Sequence, residues 1–294
     1  MEGHMKRNSA KILTAILATL LLFSGCINVQ KEEETTPPID VSGVDQSFIG
    51  SYQTMQYQYI TDVDVAWLTT NLADAYLVLA NKTSELESSY KPSPLTKLTC
   101  ATLQSNRTYE LESRAAQALY AMLAEMQAAG VSDIMVASAY RSYDYQETTY
   151  NNYVQEEMRY ISVDARRFFG EDYIKAEYLD KGIYGLSLED AHAVVQTYSA
   201  LPGQSEHQTG LCIDFITSSM GNDLTEAFEE TEAFAWLAQN AYKFGFILRY
   251  PKGKETITGY TYEPWHYRFV GREAATDTHN GGMTLEQYLQ LTSN

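Results

Sequence analysis

The most informative stretch of the sequence runs from Pro202 to Phe215 and reads PGQSEHQTGLCIDF. Within it, His207 and Asp214 lie seven positions apart, with Gly210 between them. Period-two alternation places Asp214 and Cys212 on one face of a strand and the apolar side chains on the other. Gly210 lets the chain turn, so we expect His207 to come back over the face that carries Asp214. The stretch therefore predicts a turn into a buried strand, with two candidate metal ligands beside it.

A second stretch offers the remaining groups that a zinc site needs. A catalytic zinc takes three protein ligands, commonly histidine or carboxylate, and leaves a fourth position for water. EPWHYRFVG at Glu263–Gly271 supplies His266 as the third ligand. On a regular strand, Glu263 and His266 would point to opposite faces, because they are three positions apart. Pro264 cannot donate to a sheet, so we expect a bend there at which both side chains converge, and Glu263 becomes a candidate general base.

Short motifs of this kind also have a purely structural interpretation. A His/Asp spacing occurs by chance, and a Glu-x-x-His pattern is common on solvated helix faces and strand edges. Among the other histidines, His192 fits a surface or hydrogen-bonded position on a helix, and His279 fits a loop. The residues alone therefore leave open whether a zinc site or an ordinary turn is present.

The composition is that of an acidic globular protein. With 294 residues and 45% hydrophobic content, the chain can bury a sizeable core. Lys and Arg number 21 against 38 Asp and Glu, which gives a formal net charge of -17. A surface with this charge repels polyanions, so we do not expect nucleic acid to be a partner.

The N-terminal segment has the features of an export signal. Basic residues precede the apolar run Ile12–Phe23, which is too short to cross a bilayer comfortably. LFSGC at Leu22–Cys26 is similar to a bacterial lipobox, in which Cys26 receives the lipid. We therefore predict a lipoprotein signal peptide at residues 1–25 and an extracytoplasmic protein that is lipid-anchored to the bacterial cell membrane. The alternatives are a plain signal anchor or cleavage at another position.

A polar segment separates this signal from the rest of the chain. Residues 26–47 are acidic and contain paired prolines, so they cannot bury enough apolar surface to fold and are expected to form a flexible tether. Residues 48–294 are expected to form a single domain. Cys100 and Cys212 are the remaining cysteines, and export is compatible with either a disulfide between them or two separate thiols.

Apolar periodicity predicts a mixture of helices and short strands after the tether. Helical spacing predicts helices at Leu111–Gly130, Leu188–Ala200 and Glu232–Gly245. Short apolar runs predict strands at Ala75–Lys82, Asp133–Ser142, Phe246–Pro251 and His266–Gly271. This order, without repeated βαβ units, favours an α+β fold with an antiparallel sheet.

Three segments in sequence order resemble the VanY-type zinc D-alanyl-D-alanine carboxypeptidases, a family grouped with lysostaphin-like peptidases and hedgehog domains. They are SAYRSYDYQ at Ser138–Gln146, PGQSEHQTGLCIDF at Pro202–Phe215, and GFILRYPKGKETITGYTYEPWHYRFVG at Gly245–Gly271. The resemblance implies an α+β fold in which a small antiparallel sheet carries the zinc site and helices flank it. It also implies that 48–294 is a zinc peptidase domain, with a helical insertion at about 150–199 beyond a minimal member.

The resemblance assigns roles residue by residue. It implies that Zn²⁺ is the cofactor and that its ligands are His207, Asp214 and His266. It implies that Glu263 is the catalytic carboxylate. It further implies that the substrate is contacted by Arg141, Gln146 and Ser205.

The activity implied by the resemblance is zinc-dependent D,D-carboxypeptidase removal of the C-terminal D-alanine from peptidoglycan stem peptides. Zn²⁺ lowers the pKa of a bound water to about 7 and polarises the scissile carbonyl, while Glu263 moves the water proton to the leaving amine. Arg141 has a planar fork that can bind a C-terminal carboxylate. Two alternatives stay open: an L,D-carboxypeptidase acting on tetrapeptide stems, and a non-catalytic wall-binding lipoprotein. The expected partners are the stem peptide and, through the lipid anchor, the membrane.

Overall fold

The structure is a computed structural model that describes residues 38–69, 73–221 and 223–293. The predicted signal peptide at 1–25, the predicted lipidation site Cys26 and the tether up to residue 37 lie outside the described residues. Within the described ranges, no helix combines the length and the apolar character that a membrane span requires.

Helices and short strands follow one another irregularly along the chain. The α-helices are α1 (Ala73–Tyr76), α2 (Ser113–Ala128), α3 (Tyr143–Glu157), α4 (Val163–Phe169), α5 (Glu171–Ile174), α6 (Leu188–Tyr198), α7 (Glu232–Asn240), α8 (Glu255–Thr258), α9 (Arg272–Gly281) and α10 (Leu285–Thr292). The strands are β1 (Leu95–Lys97), β2 (Glu110–Glu112), β3 (Met135–Ser138), β4 (Cys212–Ile216), β5 (Phe246–Leu248) and β6 (His266–Phe269).

A four-stranded antiparallel sheet carries the two stretches that the sequence singles out. Its strand order is β3-β4-β6-β5, so the strands of the first and second stretch are neighbours at its centre. The register of β4 and β6 places Asp214 opposite His266. Strands β1 and β2 form a separate two-stranded sheet. The predicted α+β fold with a small antiparallel sheet flanked by helices is therefore confirmed.

The main hydrophobic core joins the apolar face of the sheet to α2. The apolar residues that flank Asp214 belong to one buried cluster with Leu119 and Met122 of α2. Complete burial of one such side chain stabilises the fold by about 1.5–3 kcal/mol. After α2 the chain turns at Gly130, whose φ of 86° lies in the left-handed region that favours glycine. The helix predicted at Leu111–Gly130 is confirmed with slightly shorter ends.

Helices α3 to α6 form the region that the sequence predicts as a helical insertion. They enclose a second buried cluster that consists of Tyr150, Val154, Ala165, Ile174, Tyr178, Leu186, Ala191, Val194 and Val195. Helix α6 begins after Ser187, whose Oγ accepts a hydrogen bond from the Asp190 backbone N–H at 3.1 Å. His192 is hydrogen-bonded, as expected: its Nδ1 lies 2.9 Å from the hydroxyl of Tyr150.

The strand predicted at Ala75–Lys82 is wrong. Helix α1 ends at Tyr76, and in the described segment 77–82 only Asn81 takes part in a bridge, an isolated one with Ser84. The carbonyls of Tyr76 and Val78 instead accept hydrogen bonds from Nη2 of the buried Arg268, at 2.9 and 2.7 Å. Because these backbone acceptors are already bound to a side chain, they do not pair with a neighbouring strand.

Two further predictions change in detail. His279, expected in a loop, lies near the end of α9 and stacks on Tyr242 with ring centroids 4.1 Å apart. The glycines after it end this helix, with Gly282 in the left-handed region at φ 58°. The helix predicted at Glu232–Gly245 is divided, because α7 stops at Asn240 and a 3₁₀ turn follows at Ala241–Phe244.

Contacts with the folded body begin inside the predicted tether. The side-chain Nε2 of Gln287 in α10 donates to the carbonyl of Asp40 at 2.8 Å. Val44 packs against the apolar cluster formed by α9 and α10. The described chain forms one compact unit, whose contacts begin near residue 40 rather than at the predicted start, residue 48.

Candidate active site

The two central strands bring an aspartate and a histidine face to face. Asp214 Oδ1 lies 2.9 Å from Nδ1 of His266, and the two side chains are only 3% and 4% exposed. Asp214 Oδ1 makes no hydrogen bond within the described part of the chain. This buried oxygen is therefore available to a cation placed beside the histidine.

His207 reaches the same point from a 3₁₀ turn that ends at Gly210. Gly210 has a φ of 66°, and a Cβ there would lie 2.9 Å from Cγ of Pro92, so the close turn requires glycine. Nδ1 of His207 lies 2.7 Å from the carbonyl of Ala139. Because a carbonyl only accepts, Nδ1 carries the hydrogen, and Nε2 is directed at Asp214 Oδ2, 3.1 Å away.

Glu263 and His266 converge at the predicted bend around Pro264. The His266 backbone N–H donates to the carbonyl of Glu263 at 3.1 Å, which closes a turn just before β6. Oε2 of Glu263 then lies 3.6 Å from Nδ1 of His266. The pKa of Glu263 is raised to about 7, chiefly by burial. The nearby His266 lowers this pKa, and the negative charge of Asp214 raises it. A carboxylate that titrates near neutrality is suited to accept and return a proton.

Arg141 and Gln146 form a hydrogen-bonded pair in the same region. Nη1 of Arg141 donates to Oε1 of Gln146 at 2.9 Å, and Nε2 of Gln146 donates to the carbonyl of Ala200 at 2.7 Å. Nη2 of Arg141 lies 3.8 Å from Asp214 Oδ2. Its buried Nε has no hydrogen-bond partner among the described residues. The guanidinium is therefore held in place with donor capacity left for an anionic ligand.

One cleft of about 680 Å³ brings all the predicted site residues of the domain together. Its lining includes His207, Asp214, His266, Glu263, Arg141, Gln146 and Ser205. The helical insertion forms a wall of this cleft and contributes Tyr153, Glu157 and Tyr198. The hydroxyl of Tyr198 donates to Oε1 of Glu157 at 3.2 Å, which fixes part of that wall. A concave site with a few convergent polar groups is typical of a pocket for a small ligand or a peptide end.

A buried charge network lies behind His266. Oε1 of Glu206 accepts hydrogen bonds from Nε of Arg249 at 2.7 Å and from Nη1 of Arg268 at 2.8 Å. Arg249 also binds both carboxylate oxygens of Glu286, at 2.9 and 2.5 Å. The second oxygen of Glu206, Oε2, lies 3.7 Å from Nε2 of His266. The carboxylate of Glu206 therefore faces Nε2 of His266, the ring nitrogen on the side away from Asp214.

The sequence motifs did not predict this network, although the sequence contains one signal for it. FILRYP and HYRFVG each place an arginine, Arg249 and Arg268, inside an otherwise apolar strand. A fully buried arginine requires a charged partner, so two of them predict a buried carboxylate. That carboxylate is Glu206: burial raises its pKa, but the two arginines outweigh burial and leave the pKa below its ordinary value.

Cys100 and Cys212 are both free thiols, so the disulfide alternative is wrong. Cys212 has no exposed surface, and its Sγ and one ring nitrogen each of His207 and His266 all lie within 4.8 Å of one another. Strand alternation predicts Cys212 on the face of Asp214, but no sequence motif indicates a role for it. Its position among the histidines was visible only in the structure.

The donor set in this cleft fits Zn²⁺. Two imidazoles and one carboxylate are ligands that zinc accepts, and three such ligands leave a position for water. Two buried carboxylates lie next to the imidazole of His266: Asp214, whose Oδ1 has no hydrogen-bond partner in the described chain, and Glu263. Fold and site together are those of a metal-dependent hydrolase.

The chain belongs to the VanY family, which is described as D-alanyl-D-alanine carboxypeptidase and whose profile matches residues 108–272. YodJ of Bacillus subtilis (strain 168) is 31% identical over 293 residues, which cover 95% of each chain. The family resemblance stated from the three motifs is therefore confirmed, and with it the class of enzyme.

Solved structures of related proteins have the same fold. VanYB in complex with D-alanine-D-alanine is 33% identical with a TM-score of 0.55, covering 74% of this chain and 99% of its own. A VanB-type vancomycin resistance D,D-pentapeptidase VanY in complex with Zn(II) is 33% identical with a TM-score of 0.54, covering 73% and 99%. The LD-carboxypeptidase LdcB is 34% identical with a TM-score of 0.56, covering 72% and 84%. The prediction of zinc as the cofactor is confirmed at the level of the family.

Proposed function

We propose that the protein is a zinc-dependent D,D-carboxypeptidase that removes the C-terminal D-alanine from peptidoglycan stem peptides. One observation carries this proposal: the metal donors, the carboxylate and the arginine that such a reaction needs all line the same cleft. The relatives named for D-alanyl-D-alanine hydrolysis support the choice of substrate.

His207, Asp214 and His266 are the proposed zinc ligands. The carbonyl of Ala139 fixes the ring of His207, so that Nε2 faces the carboxylate of Asp214. The antiparallel register holds His266 against the other oxygen of Asp214. When bound at such a site, Zn²⁺ polarises the scissile carbonyl and lowers the pKa of a water to about 7.

Glu263 is the proposed general base and acid. Its carboxylate accepts the proton of the attacking water, and the new carbon–oxygen bond forms at the carbonyl of the penultimate residue. The same carboxyl group then gives this proton to the nitrogen of the departing D-alanine as the peptide bond breaks. A pKa of about 7 suits both steps, since neither the protonated nor the ionised form is strongly disfavoured near neutral pH.

Arg141 is the proposed anchor for the free C-terminal carboxylate of the substrate. Gln146 holds its Nη1, and the guanidinium lines the cleft with donor capacity that the described chain does not use. Ser205 lines the cleft beside His207 and supplies a further polar contact for the substrate. Recognition of the carboxylate confines cleavage to the last residue of the peptide.

The test is release of D-alanine from a defined stem pentapeptide by the purified zinc-loaded protein. We expect free D-alanine and a tetrapeptide product by mass spectrometry, and no product with Glu263→Gln protein that still contains zinc. Wild-type protein that binds the pentapeptide without cleaving it would overturn the proposal in favour of the non-catalytic wall-binding lipoprotein.

A second candidate is an L,D-carboxypeptidase that acts on tetrapeptide stems. The similarity to LdcB supports this alternative. The two activities differ in the stereochemistry of the residue before the cut, which depends on the shape of the cleft rather than on the zinc ligands. Parallel assays with pentapeptide and tetrapeptide stems separate them: faster cleavage of the tetrapeptide would favour the L,D activity.

We also propose that the protein acts outside the cytoplasmic membrane as a lipoprotein, with residues 1–25 as signal peptide and Cys26 as the lipidated residue. The sequence features of the N-terminal segment support this, and so does the location of a peptidoglycan substrate. Metabolic labelling with a fatty-acid analogue followed by membrane fractionation tests it. Label and membrane association that survive in a Cys26→Ala variant would contradict the proposed anchor.

A further inference from the structure

Cys212 is a fully buried thiol that does not belong to an apolar cluster of the described residues. Its two neighbours in the chain, Leu211 and Ile213, belong to the main apolar cluster. Alternation along the strand turns its side chain towards the face that carries Asp214. A thiol with no exposed surface therefore faces the polar site instead of the core.

The thiol lies among atoms that can bind a metal. The sulfur of Cys212 and one ring nitrogen each of His207 and His266 all lie within 4.8 Å of one another. Donors around a tetrahedral zinc lie roughly 3.3–3.5 Å apart, as the bond lengths of about 2.0 Å to nitrogen and 2.3 Å to sulfur require. The three donor atoms must therefore move closer together when an ion binds.

A second observation points to a ligand at this position. Oδ1 of Asp214 is buried beside Nδ1 of His266, 2.9 Å away, and it has no hydrogen-bond partner in the described chain. Both side chains are less than a tenth exposed. Polar atoms at such positions are normally paired, so the cluster is arranged for an ion rather than for internal hydrogen bonds.

We propose that Cys212 is a fourth protein donor of the zinc site, in addition to His207, Asp214 and His266. This inference rests on the proposed function, because it takes the other three residues as zinc ligands. A thiolate is a softer donor than a carboxylate and binds zinc and related soft cations strongly. Four protein donors would fill the coordination sphere of a tetrahedral zinc, so that binding of water or substrate would require one of them to withdraw.

The test is the absorption spectrum of the full-length protein loaded with Co²⁺ in place of zinc. Visible bands of the ion report binding at the site, and a near-ultraviolet charge-transfer band reports a cobalt–thiolate bond. We expect both in the wild-type protein and in the Cys100→Ser and Cys26→Ser controls. In Cys212→Ala and Cys212→Ser proteins, we expect the charge-transfer band to be lost while the visible bands remain. We also expect zinc affinity, measured by chelator competition, to fall by about 10-fold or more.

The spectra distinguish failure of the Cys212 assignment from failure of the proposed function. Visible cobalt bands without a charge-transfer band in the wild-type protein would overturn the role of Cys212 and leave the proposed function standing. Absence of any cobalt binding would overturn both. Because the wild-type spectrum alone decides between these outcomes, the test does not depend on the folding of the variants. A charge-transfer band that persists in Cys212→Ala would assign the bond to another thiol and would also overturn the inference.

Discussion

Oε2 of Glu263 lies 3.6 Å from Nδ1 of His266, although a regular strand would point these two side chains to opposite faces. The turn at Pro264 removes the conflict by placing Glu263 just before β6 begins. As a result, the proposed base and a proposed metal ligand come from one short segment, and their separation depends on the geometry of that turn.

Glu263→Gln should abolish turnover while leaving the metal in place. The amide has nearly the same size but cannot accept a proton, so we expect kcat to fall by about 10²–10⁴-fold. Zinc content, measured by elemental analysis, should stay at the wild-type level. Glu156→Gln is the matched control, because Glu156 lines the same cleft without contributing to the proposed chemistry. A loss of zinc in the Glu263 variant would assign this residue to the metal site instead.

The pH profile should have an acid limb set by Glu263. Burial raises its pKa from 4.5 to about 7, so the carboxyl group is mostly protonated below neutrality and ionised above it. A protonated group cannot accept the water proton, and kcat/KM should therefore fall about tenfold per pH unit below the pKa. Initial rates between about pH 5 and pH 9, with zinc content checked at each pH, measure this. Activity that stays constant from neutral pH down to about pH 5 would contradict the assignment.

Arg141→Lys should weaken recognition of the free C-terminus. A point charge cannot reproduce the fork of the guanidinium, and hydrogen bonds to charged groups contribute about 1.5–3 kcal/mol, so kcat/KM should fall about 10- to 100-fold. A peptide with an amidated C-terminus lacks the carboxylate and should be cleaved equally slowly by both proteins. Arg167→Lys is the control, since Arg167 lines the cleft but pairs with Glu226 at the surface. Equal effects on the two peptides would place Arg141 outside carboxylate recognition.

Asp214→Asn should weaken zinc binding. The substitution removes the buried negative charge that faces both histidines, so we expect the dissociation constant for zinc to rise at least about tenfold, which corresponds to about 1.4 kcal/mol. Competition with a chromophoric chelator measures it. Asp164→Asn, a more exposed carboxylate that also lines the cleft, should leave the constant unchanged. An unchanged constant in the Asp214 variant would remove this residue from the ligand set.

Glu206→Gln should destabilise the whole fold. Its carboxylate lies between Arg249 and Arg268 with no exposed side-chain surface, so the neutral amide leaves buried positive charge uncompensated. We expect the free energy of unfolding in urea to fall by about 3–5 kcal/mol. Glu229→Gln breaks the surface pair with Lys252 and should leave the free energy of unfolding nearly unchanged. If the free energy of unfolding falls no further in the Glu206 variant than in the Glu229 variant, the buried network contributes little to stability.

Local patterns in the sequence predicted much of the site. Alternation correctly placed Asp214 opposite the apolar face of its strand, and Pro264 correctly indicated the bend that brings Glu263 to His266. Both conclusions depend on a few consecutive residues, whose conformation is governed by side-chain period and by proline geometry. The way in which Arg141 is held by Gln146 also arises locally, within a single helix and the residues just before it.

Features that depend on distant partners could not be predicted in this way. The segment after Tyr76 has the composition of a strand, but Arg268, far along the chain, binds its carbonyls. The partners of Glu206 lie just after β5 and within β6, many residues further along the chain, and nothing in the local pattern specifies the pairing. Cys212 was placed on the correct face, yet its proximity to both histidines depends on how two separate segments pack.

The main core and the cluster enclosed by α3 to α6 support different parts of the cleft, which bears on how the protein can change during evolution. The sheet that carries the proposed ligands is supported by the main core, whereas the wall of the cleft formed by α3 to α6 has a core of its own. Substitutions can therefore reshape the wall, and with it the choice of peptide, without disturbing the strands that hold the reactive groups. Substrate range and chemistry can be selected separately in this fold.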